Sequence, residues 1–191
     1  MKGKLIVLSG PSGVGKGTII RKVLKSDPSL VLSVSATTRS IRSGETDGVN
    51  YHFISLSSFK ELIDKGELLE YAVVYDNMYG TLRSKTMAQL QEGHDVILEI
   101  DTVGAMNIKS IFPSALTIFL TPPDIDTLSR RLKGRGTETE EMFRKRVEAA
   151  DLELENSHKY DYVVQNDDAE RCAQQVIEII KANKVNNKSN R

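Results

Sequence analysis

Leu5-Ile6-Val7-Leu8-Ser9-Gly10-Pro11-Ser12-Gly13-Val14-Gly15-Lys16-Gly17-Thr18 joins a short apolar run to a glycine-rich turn, and Ile19, Ile20, Val23 and Leu24 follow at helical spacing. The pattern predicts strand, loop and helix in that order. Residues 10–16 also satisfy G-x-x-x-x-G-K in the context that gives the motif its physical sense. Glycines let successive backbone N–H groups curl round an anion, the helix N-terminus adds its positive dipole end, and Lys16 adds a point charge. The loop Gly10, Pro11, Ser12, Gly13, Val14, Gly15, Lys16, Gly17 and Thr18 is therefore the candidate site for a nucleoside triphosphate. Gly17 stands where a loop of this kind carries Ser or Thr against Mg²⁺, and Thr18 comes one residue later. Gly17 supplies no hydroxyl there, so waters, phosphates and a carboxylate elsewhere would complete the metal shell.

Further along, apolar runs at residues 30–35, 95–100, 115–120 and 160–165 read as buried strands, with an amphipathic stretch at Ile125, Leu128 and Leu132 between two of them. Alternation of this kind predicts an α/β fold, a parallel sheet with helices on both faces. The strand Val96-Ile97-Leu98-Glu99-Ile100-Asp101 ends in acids, so Asp101, and after it Glu99, are the candidate Mg²⁺ carboxylates. Asp101 can cap a following helix without losing that role. Residues 51–79 break the rhythm: alternating strand patterns surround a helix marked by Phe59, Leu62 and Ile63, which predicts an inserted mixed α/β subdomain. Gly134-Arg135-Gly136 interrupts a helical pattern, and Thr137-Glu138-Thr139-Glu140 then forms a capping box, so a flexible loop is expected there.

The chain has 191 residues, 39% hydrophobic and 27% charged, with 26 basic and 26 acidic side chains. That describes one globular domain and excludes both a highly charged disordered chain and a uniformly basic duplex-binding protein. The lone Cys172 cannot form an internal disulfide, and packing on an amphipathic helix is its expected role. The first apolar run is four residues long, Leu5 to Leu8, too short for a signal-peptide core or a membrane span. These features predict a cytoplasmic protein with no membrane and no nucleic-acid polymer as partner; a homo-oligomer is compatible with them. Residues 181–191 carry four basic and no acidic side chains among asparagines and read as a solvated tail.

A second anion site is predicted after the second strand, where Arg39 and Arg42 lie three residues apart in a polar loop. Guanidinium forks donate paired hydrogen bonds to one oxyanion group. Positive charge is also concentrated at residues 129–146, with seven basic and three acidic side chains.

At these residues the chain resembles the guanylate kinase family, over nearly its whole length. The resemblance is carried by G-P-S-G-V-G-K-G-T from residue 10, S-A-T-T-R-S-I-R-S-G-E-T-D-G-V-N-Y-H-F from 35, L-L-E-Y-A from 68, M-Y-G-T from 78, L-E-I-D from 98, G-R-G-T-E-T-E-E from 134 and Y-D-Y-V-V-Q-N-D-D from 160. It implies transfer of the terminal phosphoryl group of ATP to GMP, giving ADP and GDP, with Mg²⁺ as cofactor. It also implies three parts: a P-loop nucleotide-binding core at residues 1–34, 84–124 and 155–183, a GMP-binding subdomain at 35–83 and a helical lid at 125–154, leaving 184–191 as an unstructured tail. By motif, Arg39, Arg42, Tyr51 and Tyr79 would hold the GMP phosphate, with Glu45 positioning the arginines. Ser35, Glu70, Thr81 and Asp101 would surround the guanine. Arg131, Arg135 and Arg146 match the lid arginines, and Asn166 with Arg135 would border the adenine.

The chemistry of Glu70 stands apart from the resemblance. Guanine presents adjacent N1–H and N2–H₂ donors that one carboxylate can accept together, whereas adenine presents an acceptor at N1. A site built on such pairing can reject the wrong base by about 10⁴–10⁵. The cations have an equally plain purpose, because phosphoryl transfer rests on positioning and charge stabilisation. Ile41 stands where proline is usual in the family, Thr81 where serine is usual and Val103 where glutamine is usual. Two other readings compete: a scaffold of the same fold that binds protein partners without catalysis, and a kinase for another nucleoside monophosphate or a sugar phosphate. Lys16, Arg39, Arg42 and Asp101 argue against the first, and Glu70 with Tyr79-Gly80-Thr81 against the second.

Overall fold

The computed structural model describes residues 2–133 and 140–189. In chain order they form β1 (Leu5–Ser9), α1 (Lys16–Ser26), β2 (Leu30–Ser33), β3 (Ala36–Thr37), β4 (His52–Phe53), α2 (Leu56–Asp64), β5 (Leu68–Val74), β6 (Asn77–Leu82), α3 (Arg83–Glu92), β7 (Asp95–Glu99), α4 (Thr102–Ile111), β8 (Leu116–Thr121), α5 (Ile125–Lys133) and α6 (Glu140–Glu155). A 3₁₀ turn (Asn156–Lys159), β9 (Tyr162–Gln165) and α7 (Ala169–Ser189) complete them. The central sheet has strand order β2-β7-β1-β8-β9, with β2 parallel to β7 and β8 parallel to β9. The expected α/β architecture with a parallel sheet is what the chain adopts. All five residues of β1 are buried, as an apolar run without alternation requires.

The fold divides into two compact units, with β1 passing from one to the other between Val7 and Leu8. The first comprises residues 1–7 and 29–115. Besides its share of the central sheet it holds a mixed sheet of order β4-β3-β6-β5. Here Phe59 of α2 is fully buried with Ala36 and Leu68, and Leu62 and Ile63 pack against them, as the helical spacing of those residues anticipates. Ser55 caps α2, its Oγ accepting from Ser58 N at 3.1 Å. The Arg83 side chain donates to the carbonyls of Gly66 and Leu68, at 2.9 and 3.0 Å, which fixes the entry into β5. Strands β3 and β6 and helix α3 lie outside the expected elements: β3 is two residues long within a polar stretch, β6 carries Asn77 and Gly80, and α3 buries little beyond Thr86 and Leu90.

The second unit comprises residues 8–28 and 116–191. Helices α1 and α7 pack together in it, and Ile19, Ile20 and Val23 of α1 and Val176 and Ile180 of α7 are buried. Cys172 lies fully buried on α7, and burial pushes its thiol up to about 11, so packing is its role, as expected. Strand β9 differs from the expected buried strand: Tyr162 and Val163 are exposed and only Val164 is covered. Its place at the end of the strand order explains this, because an edge strand has a neighbour on one side only. Helix α7 continues to Ser189, over most of the stretch read as a solvated tail. Gly134, Arg135, Gly136 and residues 137–139 of the capping box lie outside the described residues. No helix among the described residues is long and apolar enough to cross a membrane.

Candidate active site

In the second unit the phosphate loop leaves β1 at Ser9 and enters α1 at Lys16. Two of its glycines are required by geometry. A Cβ on Gly10 would lie 2.4 Å from the Leu120 carbonyl oxygen of β8. Gly15 ends the loop in the left-handed region, with φ 102°, and a Cβ there would meet Asn166 Nδ2 at 2.8 Å. Lys16 folds back over the loop, its Nζ donating to the carbonyls of Gly10 at 2.5 Å and Pro11 at 3.3 Å. Its charge thus lies against the anion-binding turn that the motif predicts.

Asn166 and Arg131 hold that turn in place. The buried Asn166 donates from Nδ2 to the Val14 carbonyl at 2.7 Å, and Arg131 Nη1 donates to the same oxygen at 3.1 Å. Arg131 Nη2 also donates to the Asn166 carbonyl at 3.1 Å. Arg146, with 5% of its surface exposed, donates from Nη1 to Ser12 Oγ at 3.3 Å. Two of the arginines expected in the lid, and the asparagine expected beside the adenine, are therefore brought to the loop itself. Gly17 offers no hydroxyl, and the Thr18 side chain accepts from Arg21 Nη2 at 3.2 Å.

The first unit assembles the residues of the second predicted anion site. Arg39 and Glu45 form a bidentate pair, with Nη1 donating to Oε2 at 3.0 Å and Nη2 to Oε1 at 2.7 Å. Glu45 Oε2 also accepts from the Arg42 backbone N–H at 2.8 Å. One carboxylate thus organises both arginine positions. Burial opposes the charge on Glu45, but hydrogen bonds from Arg39 and the Arg42 backbone outweigh it and hold the carboxyl below its ordinary range. The Arg39 guanidinium rests over the rings of Tyr51 and Phe53, at 5.6 and 5.5 Å from their centroids. Tyr79 meets Tyr51 edge-on at 5.8 Å. Burial raises the Tyr51 phenol, with the negative charge of Glu99 adding to the effect, so it stays protonated as a donor.

Glu70 is the buried acid of this unit, 6% exposed, and its Oε1 accepts from the Thr81 hydroxyl at 2.7 Å. Burial pushes its carboxyl up to about 7; the Thr81 bond works against that shift and the nearby Asp101 charge works with it. Asp101 caps α4, its Oδ1 accepting from Val103 N at 2.7 Å and Gly104 N at 2.9 Å. Ser35 is buried and anchors β4 through its carbonyl, which accepts from His52 N at 2.8 Å. Thr37 and Thr38 of the same stretch also support the arginine loop. Thr37 Oγ1 accepts from the Arg39 N–H at 3.2 Å and donates to the Met78 carbonyl at 3.0 Å, while Thr38 Oγ1 accepts from Met78 N at 2.9 Å. Their signal was position alone, two hydroxyl residues directly before the first arginine.

One unit thus holds a glycine-rich loop with Lys16 folded over it, and the other holds the Arg39–Glu45 pair and the buried Glu70 carboxylate. A family model described as guanylate kinase matches residues 2–183. This chain belongs to the guanylate kinase family. It is 49% identical over 183 residues to the guanylate kinase of Clostridioides difficile strain 630, spanning 96% of this chain and 89% of that one. Its identity to the guanylate kinase of Halalkalibacterium halodurans is 48% over 181 residues, spanning 95% of this chain and 89% of the relative. The crystal structure of guanylate kinase from Anaplasma phagocytophilum superimposes with a TM-score of 0.80 at 32% identity, covering 94% of this chain and 85% of that one. A shikimate kinase structure from Bacteroides thetaiotaomicron, at 16% identity and TM-score 0.54, shares the fold.

Proposed function

We propose that this guanylate kinase family member transfers the γ-phosphoryl group of ATP to GMP, giving ADP and GDP. The observation that carries the choice of acceptor is Glu70: a buried carboxylate, fixed by Thr81, in the unit that also holds the Arg39–Glu45 pair. A carboxylate accepts the guanine N1–H and N2–H₂ together and repels the N1 lone pair of adenine. Ser35, Thr81 and Asp101 complete the base pocket in this reading. Arg39, Arg42, Tyr51 and Tyr79 take the acceptor phosphate, and Glu45 holds the arginines ready for it.

The phosphate loop receives ATP, with Lys16 turning from its own loop carbonyls to the outer phosphates. Arg146 and Arg135 add charge, Arg131 and Asn166 brace the loop, and Asn166 with Arg135 borders the adenine. Residues 125–154 act as the lid and 35–83 as the acceptor subdomain. Excluding water there favours GMP over hydrolysis.

For Mg²⁺, the chain's candidate residues are Asp101 and Glu99. Among the described residues no three His, Cys, Asp or Glu side chains converge as a metal cage. Gly17 supplies no hydroxyl, and Asp101 already uses Oδ1 on two backbone amides. Such a donor set suits an ion that keeps its waters and binds chiefly through phosphate oxygens, the habit of Mg²⁺. Bound there, the ion neutralises charge on the phosphates. A cytoplasmic site for the reaction is part of this reading.

A coupled ADP-release assay with GMP, dGMP, AMP, UMP and ribose phosphate tests the reading. GMP is expected to be the best acceptor by orders of magnitude. Equal turnover of AMP, or no turnover of GMP by folded protein, would overturn it.

A further inference from the structure

Gly104 is the third residue of α4, at a helical position where alanine is the better helix former. Its amide is held by the Asp101 cap at 2.9 Å, so the backbone there is fixed. A Cβ built on it would lie 2.5 Å from Glu70 Oε2 and 3.1 Å from Glu70 Cδ. The next atom, Ile100 Cβ, is at an ordinary 3.5 Å. The space left by the absent side chain is therefore filled by one particular group, the second oxygen of the Glu70 carboxylate. The first oxygen is held from the other side by Thr81 at 2.7 Å.

We propose that Gly104 is a specificity-determining position, its missing side chain forming the seat that sets the Glu70 carboxylate in the plane needed to accept two donors from guanine. The inference rests on the reading of Glu70 as the guanine acceptor and adds the residue that positions it. A methyl group at 104 would not block folding, because the atom it meets is the end of a side chain and not backbone. It would push the carboxylate aside, strain the Thr81 bond and turn the acceptor oxygens away from the base. Gly104 differs in this from Gly10, whose Cβ would run into the Leu120 backbone.

The test is Gly104→Ala in the full chain, with kinetics for both substrates and a thermal melt. The expected result is a fall of at least tenfold in kcat/KM for GMP, a smaller GMP-to-AMP preference, a KM for ATP within about twofold of wild type, and an undiminished Tm. A merely structural glycine would instead lower the Tm and weaken both substrates together. Glu70→Asp supplies the second arm: the shorter side chain withdraws the carboxylate from position 104, so Gly104→Ala is expected to cost far less in that background than in wild type. Unchanged GMP kinetics, parallel losses for GMP and ATP, or equal costs in the two backgrounds would each overturn the proposal. A wild-type enzyme that treats GMP and AMP alike would instead refute the reading of Glu70 itself.

Discussion

Glu70 and Thr81 face each other as register partners across the β5–β6 hairpin, and their side chains are joined by the 2.7 Å hydrogen bond from hydroxyl to carboxylate. Strand pairing therefore sets the candidate base acceptor. The hairpin turns at Tyr75 and Asp76, both at positive φ, 48° and 66°, as a tight two-residue connection demands. A slip of one residue would carry Glu70 to the opposite face of the sheet. Threonine at 81, where the family usually has serine, keeps the hydroxyl on which the arrangement depends.

The first prediction concerns pH and acceptor binding. With its carboxyl at about 7, Glu70 becomes protonated as pH falls below neutrality and can no longer accept both guanine donors. KM for GMP is expected to rise toward tenfold per pH unit below 7, while KM for ATP changes little. GMP's own phosphate titrates in a neighbouring range, so the comparison is with Glu70→Gln, whose KM for GMP should be high and lose this component. Parallel profiles for the two proteins would remove Glu70 from the base pocket.

The same group makes a prediction for stability, with the sign opposite to that of an ion-paired acid. The folded carboxyl titrates at about 7 against 4.5 for the free side chain, so the native state holds the proton more tightly between those values. Stability contributed at this site falls as pH rises from 4.5 to 7, by up to about 3 kcal/mol. In the absence of nucleotide, Glu70→Gln should melt a few degrees higher than wild type at pH 8, with the gap closing toward pH 4.5. Calorimetric scans at the two pH values check this; a lower Tm for the variant at pH 8 would contradict it.

How far the sequence led depends on the kind of signal involved. The phosphate loop was legible because glycine spacing, an apolar strand and a helical stripe all converge on one backbone shape. Glu70 was legible through the resemblance, where L-L-E-Y-A matches the family's motif, and the two adjacent donors of guanine then give that assignment its chemical reason. Asp101 showed both a helix-capping pattern and an acid after a strand, and the cap is what the structure displays. Gly104 was not legible, because its neighbour Glu70 lies 34 positions earlier in the chain and nothing local announces their contact. The bracing of Val14 by Arg131 and Asn166 was hidden for the same reason: residues far apart in sequence meet on a backbone carbonyl, which carries no sequence signature. Edge exposure of β9 escaped because apolar residues alone do not say how many neighbours a strand has.

Glu45 provides a third prediction. Its side chain is 18% exposed and that of Arg39 is 11%, so the pair is shielded enough for its geometry to matter. Glu45→Gln removes the charge-assisted bonds that aim Arg39 and leaves the guanidinium over the aromatic rings with one partner fewer. KM for GMP should rise about tenfold or more, on the usual worth of hydrogen bonds to charged groups. KM for ATP should stay near wild type, and steady-state kinetics with each substrate varied in turn separates the two. A selective loss for ATP would reassign the arginine loop.

The last prediction turns on one carbonyl with two donors. Val14 is fully buried, and its oxygen accepts from both Asn166 Nδ2 and Arg131 Nη1, filling the two lone pairs that a backbone carbonyl offers. Either donor alone leaves that oxygen satisfied, so Asn166→Ala or Arg131→Ala should loosen the phosphate loop moderately, raising KM for ATP severalfold and leaving KM for GMP nearly unchanged. Removing both leaves a buried acceptor without a partner, a desolvation penalty of about 1–3 kcal/mol that neither single change incurs in full. The double variant is therefore expected to lose more ATP affinity and more thermal stability than the sum of the singles, a coupling that a double-mutant cycle reads directly. Strict additivity would show that the two side chains act independently on the nucleotide and not through the shape of the loop.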